Sequence, residues 1–384
     1  MKKTKLIILM VFWALSITAC SGKNESGKLF TTEYDVEDYC ENMIIVSKSE
    51  GMVSGILDSK GKEILPLEYD EIEFFNKDSF VQGKDDALYL KIKYEGAVSI
   101  IDTNKKAIIK TTGYISHVKT VLRDEKNNKS PFFCETVNDK NNVYNENGVK
   151  IGEIAKPKGD EEIIWINNKY YCIKNKLGNG IAIYDYSGNK ISQFDEFMSK
   201  YYIIDNSIKG IVITKKIYGY TYNPFNDENA DIKLISISSD GKIGVEKNIN
   251  TVEDLTLEEE KLENMSEKDL RTYNLYNSNG TWKLEDINGR TLYENRYFER
   301  LTPNGMNDCV ALTNEDNSVC IIGRQGTRYV DFGILRYAPD SKEILMKSGK
   351  EKEVKINNVF EGKDSIIIPV SGENGNDIYL FSGK

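Results

Sequence analysis

The chain has 384 residues, a formal net charge of −9 and 40% hydrophobic content, enough apolar material for a substantial core. Its composition argues against disorder throughout, and its acidic balance excludes a partner held by phosphate backbones, which calls for a basic stripe. Twenty-three tyrosines, frequent isoleucine and valine, and only seven prolines favour an all-β protein, because branched and aromatic side chains suit a pleated, half-buried surface.

The first element is a leader. Lys2, Lys3 and Lys5 precede an uncharged run from Leu6 to Ile17, short for a bilayer span but suited to a signal-peptide core. Ile17-Thr18-Ala19-Cys20 then resembles the lipobox of bacterial lipoproteins, and the resemblance implies that Cys20 is acylated after removal of residues 1–19. The expected organisation is a leader (1–19), a lipidated tether (20–33) that includes the polar run Ser21 to Gly27, and a folded body (34–384). Two acyl chains hold a protein stably. The expected location is therefore extracytoplasmic, on the cell membrane or the outer membrane. Loss of the three lysines takes the charge from −9 to −12, so an anionic lipid surface repels the body and the lipid must do the holding.

The body opens with Gly55-Ile56-Leu57-Asp58-Ser59-Lys60-Gly61-Lys62-Glu63-Ile64-Leu65-Pro66, two apolar strands about an Asp-x-x-Gly turn. Related segments follow: IIDTNKKAII, VYNENGVKIG, IYDYSGNKIS, SISSDGKIGV, LEDINGRTLY and IIGRQGTRYV, with the turn position at 61, 105, 148, 188, 241, 289 and 326. Their mean spacing of about 44 residues fits a blade of four short strands. The first segment, with Tyr69 and Ile72, resembles the bacterial WG repeat, as does Trp282-Lys283-Leu284-Glu285-Asp286-Ile287-Asn288-Gly289-Arg290 with Leu292 and Tyr297. That resemblance implies a propeller-like array and leaves its biochemical role open.

Two insertions stretch the period. Tyr218 to Asp231 is turn-rich and aromatic, while Thr251 to Tyr273 reads as a helix, with Leu255, Leu262 and Met265 on one face and Ser266 and Asp269 forming a capping box. Leu345 to Gly349 and Ile378 to Gly383 resemble further half-units, so seven or eight blades are expected. In a ring the ends meet, which predicts that Ile44 to Ser47 share or adjoin a blade with Ile378 to Phe381.

Little in the chain points to catalysis. His117 is the one histidine, too few for multi-histidine zinc sites, and no nucleophile elbow, P-loop or metalloprotease motif occurs. Cys40, Cys134, Cys172, Cys309 and Cys320 match no metal spacing. If Asn314 to Asn317 form a loop, Cys320 faces Ala311 and lies diagonal to Cys309, so five buried thiols are the simpler expectation than a bridge. Asp227, Asn229 and Asp231 alternate as in a calcium loop, but Ile232 and Ser238 replace its glycine and closing glutamate. Asp70, Glu71, Asp195 and Glu196 are candidate paired carboxylates that also read as repeat-associated turns. Tyr218, Tyr220, Tyr222 and Phe225 form the candidate binding cluster, a platform for a protein or glycan. The functional expectation is a non-catalytic envelope binding module without metal or cofactor; the competing one is a carboxylate enzyme acting on polysaccharide.

Overall fold

The computed structural model describes residues 27–48, 52–81, 85, 87–103, 107–122, 131–159, 161–175, 180–213, 232–265, 274–278, 281–285, 290–295, 300–301, 309–313, 316–323, 328–330, 335–338, 340–341, 343–348, 352–356 and 358–383. The leader, Cys20, the aromatic cluster Tyr218 to Phe225, the Asp227 to Asp231 loop and the Ser266 to Asp269 cap lie outside these residues.

The repeated turn explains the local structure. At Asp58, Asn145 and Asp185 the side-chain Oδ1 accepts from the backbone N–H two and four positions on, at 2.8 to 3.0 Å. The N–H of Gly61, Gly148, Gly188 and Gly241 donates back to the carbonyl three positions earlier, at 2.9 to 3.0 Å. These four glycines have φ of +76°, +73°, +85° and +77°, where a side chain would strain the backbone. The adjoining ladder slips register in each of seven sheets, at Ile56/Leu57, Ile100/Ile101, Val143/Tyr144, Ile183/Tyr184, Leu234/Ile235, Leu284/Glu285 and Ile321/Ile322. The turn motif therefore carries its own bulge.

Among the described residues the strands form nine antiparallel sheets. Eight are meanders of consecutive strands, spanning 35–69, 71–111, 114–155, 161–194, 197–249, 274–295, 300–330 and 335–355, of which 274–295 and 335–355 have three strands and the rest four. The ninth combines Phe360–Glu361, Ser365–Gly372 and Gly375–Ser382 with Gly27–Thr32 from the other end of the chain. The last two of these sheets, 335–355 and the ninth, lack the Asp-x-x-Gly turn of the earlier ones.

Gly27–Thr32 corrects the expected tether boundary. These residues pair antiparallel with Gly375–Ser382, from Gly27 opposite Leu380 to Thr32 opposite Asn376, so the folded body begins before residue 34. Phe30 and Leu29 supply the apolar contacts, and the ion pair Lys28 to Asp377 (2.8 Å) lies on the same seam.

Alternation along each strand sends side chains to two different neighbours. In Met43–Lys48, Ile44 and Val46 pack with Ile367 and Ile378 of the ninth sheet, whereas Met43 and Ile45 pack with Ile72, Phe74 and Leu90 of the second. The segment Ile44 to Ser47 thus adjoins the sheet holding Ile378 to Phe381, as expected. The pattern continues: Tyr89 and Ile100 meet Ile115 and Phe133, Val143 and Ile154 meet Tyr171 and Tyr186, and Ile183 meets Met198, Ile208 and Ile235. Beyond the fifth sheet, Val319, Ile344 and Ile366 join the last three sheets.

A helix occupies Val252–Met265, inside the expected insertion. Its cap is Thr251, whose Oγ1 accepts from the N–H of Asp254 (3.0 Å). Leu255 and Leu262 pack under it beside Tyr202 and Ile204, but Met265 is exposed, so the apolar face is shorter than expected. The five described cysteines are all buried, and none of them is joined in a disulfide. Cys320 stands opposite Leu312 and not Ala311, which puts it and Cys309 on opposite faces: Cys309 joins the cluster of Ala311, Val319 and Ile321, from which Cys320 is absent.

The turn glycines provide a graded test. A Cβ on Gly148 would lie 2.5 Å from the Ile108 side chain and 2.7 Å from its carbonyl oxygen, while one on Gly188 would meet nothing within 4 Å. Gly188→Ala is expected to cost about 1 kcal/mol from the left-handed backbone alone, and Gly148→Ala about 2–3 kcal/mol. Urea denaturation of the two variants measures the difference; equal losses would contradict it.

Candidate binding site

The turn glycines also locate a site. Each turn lies beside the outer strand of the preceding sheet, and at three of the four described turns an apolar side chain fills the seam. Gly61 sits against the ring of Phe30, Gly148 against Ile108, and Gly241 against Tyr170, Ile183 and Ile191. Ile108 and Ile191 each lie three residues after their own turn position, where Ile151 stands in the third sheet.

Among the described residues no side chain packs against the corresponding glycine, Gly188, at the seam between the third and fourth sheets. Gly188 has open space beside it, and a groove of about 680 Å³ runs past Val149, Ile151, Tyr170, Asp185, Tyr186 and Ile191. The corresponding hollow at the first seam, beside Phe30 and Gly61, is about 300 Å³. Val149 is 58% exposed and Ile191 41% exposed at the edges of the larger groove, an unusual position for branched aliphatics.

The groove is held open from beneath. Gly152 lets the outer strand of the third sheet approach Tyr186, where a Cβ would stand 2.5 Å from the Tyr186 carbonyl oxygen. Tyr186 is buried, donates its hydroxyl to the Asn167 carbonyl (2.9 Å), and stacks with Trp165 and Tyr171 at centroid distances of 6.3 and 5.7 Å. This aromatic stack is a stiff floor.

The polar walls are largely occupied by their own turns. Asp185 accepts from the N–H groups of Ser187 and Asn189 and from the Asn189 side chain, all at 2.8 to 2.9 Å. Desolvation opposes these bonds, but together they hold the Asp185 carboxyl below the usual range, so it is ionised near neutrality. Asn145 spends its Oδ1 on Asn147 and Val149. Lys169 contributes a cation at the rim.

The sequence-predicted candidates do not gather here. Cys20, Tyr218, Tyr220, Tyr222 and Phe225 lie outside the described residues. Asp70 with Glu71 and Asp195 with Glu196 fall at equivalent connections between an outer strand and the next inner one, in separate parts of the fold. Gln193 donates to Asp195 at 2.5 Å and Lys233 pairs with Glu196 at 3.4 Å. Among the described residues no three His, Cys, Asp or Glu side chains converge as metal ligands. Burial pushes the thiols of Cys40, Cys134 and Cys172 up to about 12, which removes their nucleophilic form near neutral pH. Of the described carboxylates, Glu41 alone is raised, by desolvation with the Asp364 charge adding to it.

Sequence reading missed Ile151, Tyr170 and Tyr186. The available signal was a misfit between copies: Val149 and Gly152 flank Ile151 where other outer strands carry a base or longer side chains.

His117 ends the strand Tyr114–His117 and is 8% exposed, packed edge-on against Phe75 and Phe132, with Nε2 lacking a hydrogen bond and 3.6 Å from Asp85. Desolvation, reinforced by Lys119 and opposed by Asp78, pushes its pKa down to about 4. Because the folded value lies below the unfolded one of about 6.5, the contribution is complete above pH 6.5 and is lost as pH falls toward 4. The loss is on the order of 3 kcal/mol in the limit. Denaturant titrations between pH 7 and 4 are expected to show a steeper decline for the wild type than for His117→Phe; parallel curves would contradict this.

No family model matches the chain, and no curated protein matches it. Among solved structures it is similar to one described as "KlHsv2 with loop 6CD replaced by a Gly-Ser linker", at 11% identity, covering 94% of this chain and 98% of that one, with a TM-score of 0.23. At that score the likeness carries no argument about this chain.

Proposed function

We propose that the chain is a propeller-like ring of blades, held at a bacterial envelope membrane through lipid on Cys20, that binds a protein or glycan without catalysing a reaction on it. The ring is favoured by the pairing of Gly27–Thr32 with Gly375–Ser382, which joins the first strand to the last sheet. The observation that carries the binding reading is the groove at Ile151 and Tyr170, an opening of about 680 Å³ on a rigid repeated scaffold, larger than the hollow of about 300 Å³ at the first seam. The lipid anchor rests on Lys2 to Cys20 alone.

Labelling cells with a clickable fatty acid tests the anchor: label is expected on the wild type and absent from Cys20→Ser, and label unaffected by the substitution would sink the idea. Crosslinking and pull-down of the mature protein from its own envelope, beside a glycan array, tests binding. A retained partner or a saturable glycan is expected. Turnover of any glycan, abolished by changing two acids, would instead establish the carboxylate enzyme.

A further inference from the structure

We infer that the rim of tight turns, at the seam of the ninth and first sheets, is the surface that lies against the phospholipid headgroups, and that the opposite rim faces outward. This rests on the lipid anchor proposed above and deepens it, from the fact of attachment to the face that is attached.

Antiparallel strands give every sheet two distinct ends. The turns Asp58 to Gly61, Asn145 to Gly148, Asp185 to Gly188 and Ser238 to Gly241 close one end. The links from one sheet to the next, Thr32 to Asp35, Tyr69 to Glu71, Thr111 to Tyr114 and Phe194 to Phe197, lie at the other. With only one or two residues in each link, neighbouring sheets keep the same sense, and the ends line up as two rims. Gly27–Thr32 runs from the turn rim to the linking rim. Thr32 meets Asn376 beside the Gly372 to Gly375 turn, whereas Gly27 stands opposite Leu380, close to where Gly383 donates its N–H to the Asp364 carbonyl (2.9 Å) in the turn before Ser365. Phe30, three residues farther on than Gly27, already covers the turn glycine Gly61. The tether therefore enters the folded body at the turn rim.

Its reach is short. Cys20 is seven residues before Gly27, and seven steps of chain span at most about 25 Å and average about 15 Å for a composition rich in Ser and Gly. A six-residue strand such as Val53–Asp58 separates the two rims by about 20 Å. With the turn rim at the headgroups the tether stays relaxed; turning the body over would consume nearly all of its length. Charge acts in the same direction. Around this seam the linking rim exposes Glu33, Asp35, Asp70, Glu71 and Glu373, while the turn rim interleaves Lys60, Lys62 and Lys363 with Glu63 and Asp364. An anionic bilayer repels the first arrangement more than the second.

The test uses the lipidated protein, purified from membranes and added to preformed phosphatidylethanolamine and phosphatidylglycerol vesicles that carry a headgroup-linked acceptor dye. A donor dye is attached at Lys60→Cys or at Met52→Cys, exposed positions just beyond the two ends of Val53–Asp58. The five described native cysteines are buried and take no dye while the protein is folded. At equal acceptor density, energy transfer from Lys60→Cys is expected to be at least about twofold that from Met52→Cys, given a height difference of about 20 Å. Lys363→Cys and Glu373→Cys, beyond the two ends of Ser365–Gly372, supply a second pair with the same expected order, read if either variant of the first pair fails to melt like the wild type. Equal transfer, or greater transfer from the linking rim, on protein that sediments with the vesicles would overturn the inference and leave the anchor standing. Protein that does not sediment with the vesicles would overturn the anchor, and this inference with it.

Discussion

A sheet whose strands carry apolar side chains on both faces cannot end in water, and this requirement organises the molecule. Met43–Lys48 is buried on both sides, with Ile44 and Val46 turned toward the ninth sheet and Met43 and Ile45 toward the second. Every such sheet demands a neighbour before it and another after it. The demand is passed along the chain until the last sheet meets the first, where Ile367 and Ile378 lie against Ile44. The tight turns, the bulges and the short connections at Asp70 and Asp195 all serve that stacking.

The turn chemistry was legible because it is local. Asp58, Asn145 and Asp185 satisfy their own loops by side-chain bonds, and the glycine three residues later takes a conformation that other residues avoid. What was not legible depends on pairs of residues far apart in sequence. Gly27–Thr32 reads as polar tether because only two of its residues, Leu29 and Phe30, are strongly apolar, and its partner lies at the other end of the chain. One residue of loop length decided the cysteines, since pairing Cys320 with Leu312 turned it away from Cys309. The groove was hidden for a related reason. The misfit of Val149 and Gly152 around Ile151 is visible in the sequence, but that Val149 and Ile151 line a groove with Tyr170 and Tyr186 of the next sheet depends on how the two sheets meet.

The chemistry of the side chains points the same way as the packing. Buried thiols with raised pKa, a neutral histidine wedged among phenylalanines and carboxylates such as Glu153 and Asp377 held below their ordinary range are features of groups recruited for structure. Glu135 illustrates this: though buried, it is drawn down because Thr111, Tyr144 and Asn142 surround it with hydrogen bonds that outweigh desolvation.

The seam between Gly27–Thr32 and Gly375–Ser382 also sets the order in which the molecule can be made. Thr31 and Asp377, hydrogen-bonded at 2.7 Å, are 346 positions apart, so the earliest of these strands to be synthesised waits for the latest before its ladder is complete. Until then the ninth sheet has an open edge and the first sheet an uncovered face, the two surfaces that draw a nascent β protein into association with other chains. Closure at such separation is a slow, late event in folding. A protein built this way depends on the time its chain spends unsealed, and loss of either of the two pairing strands exposes the same edge permanently.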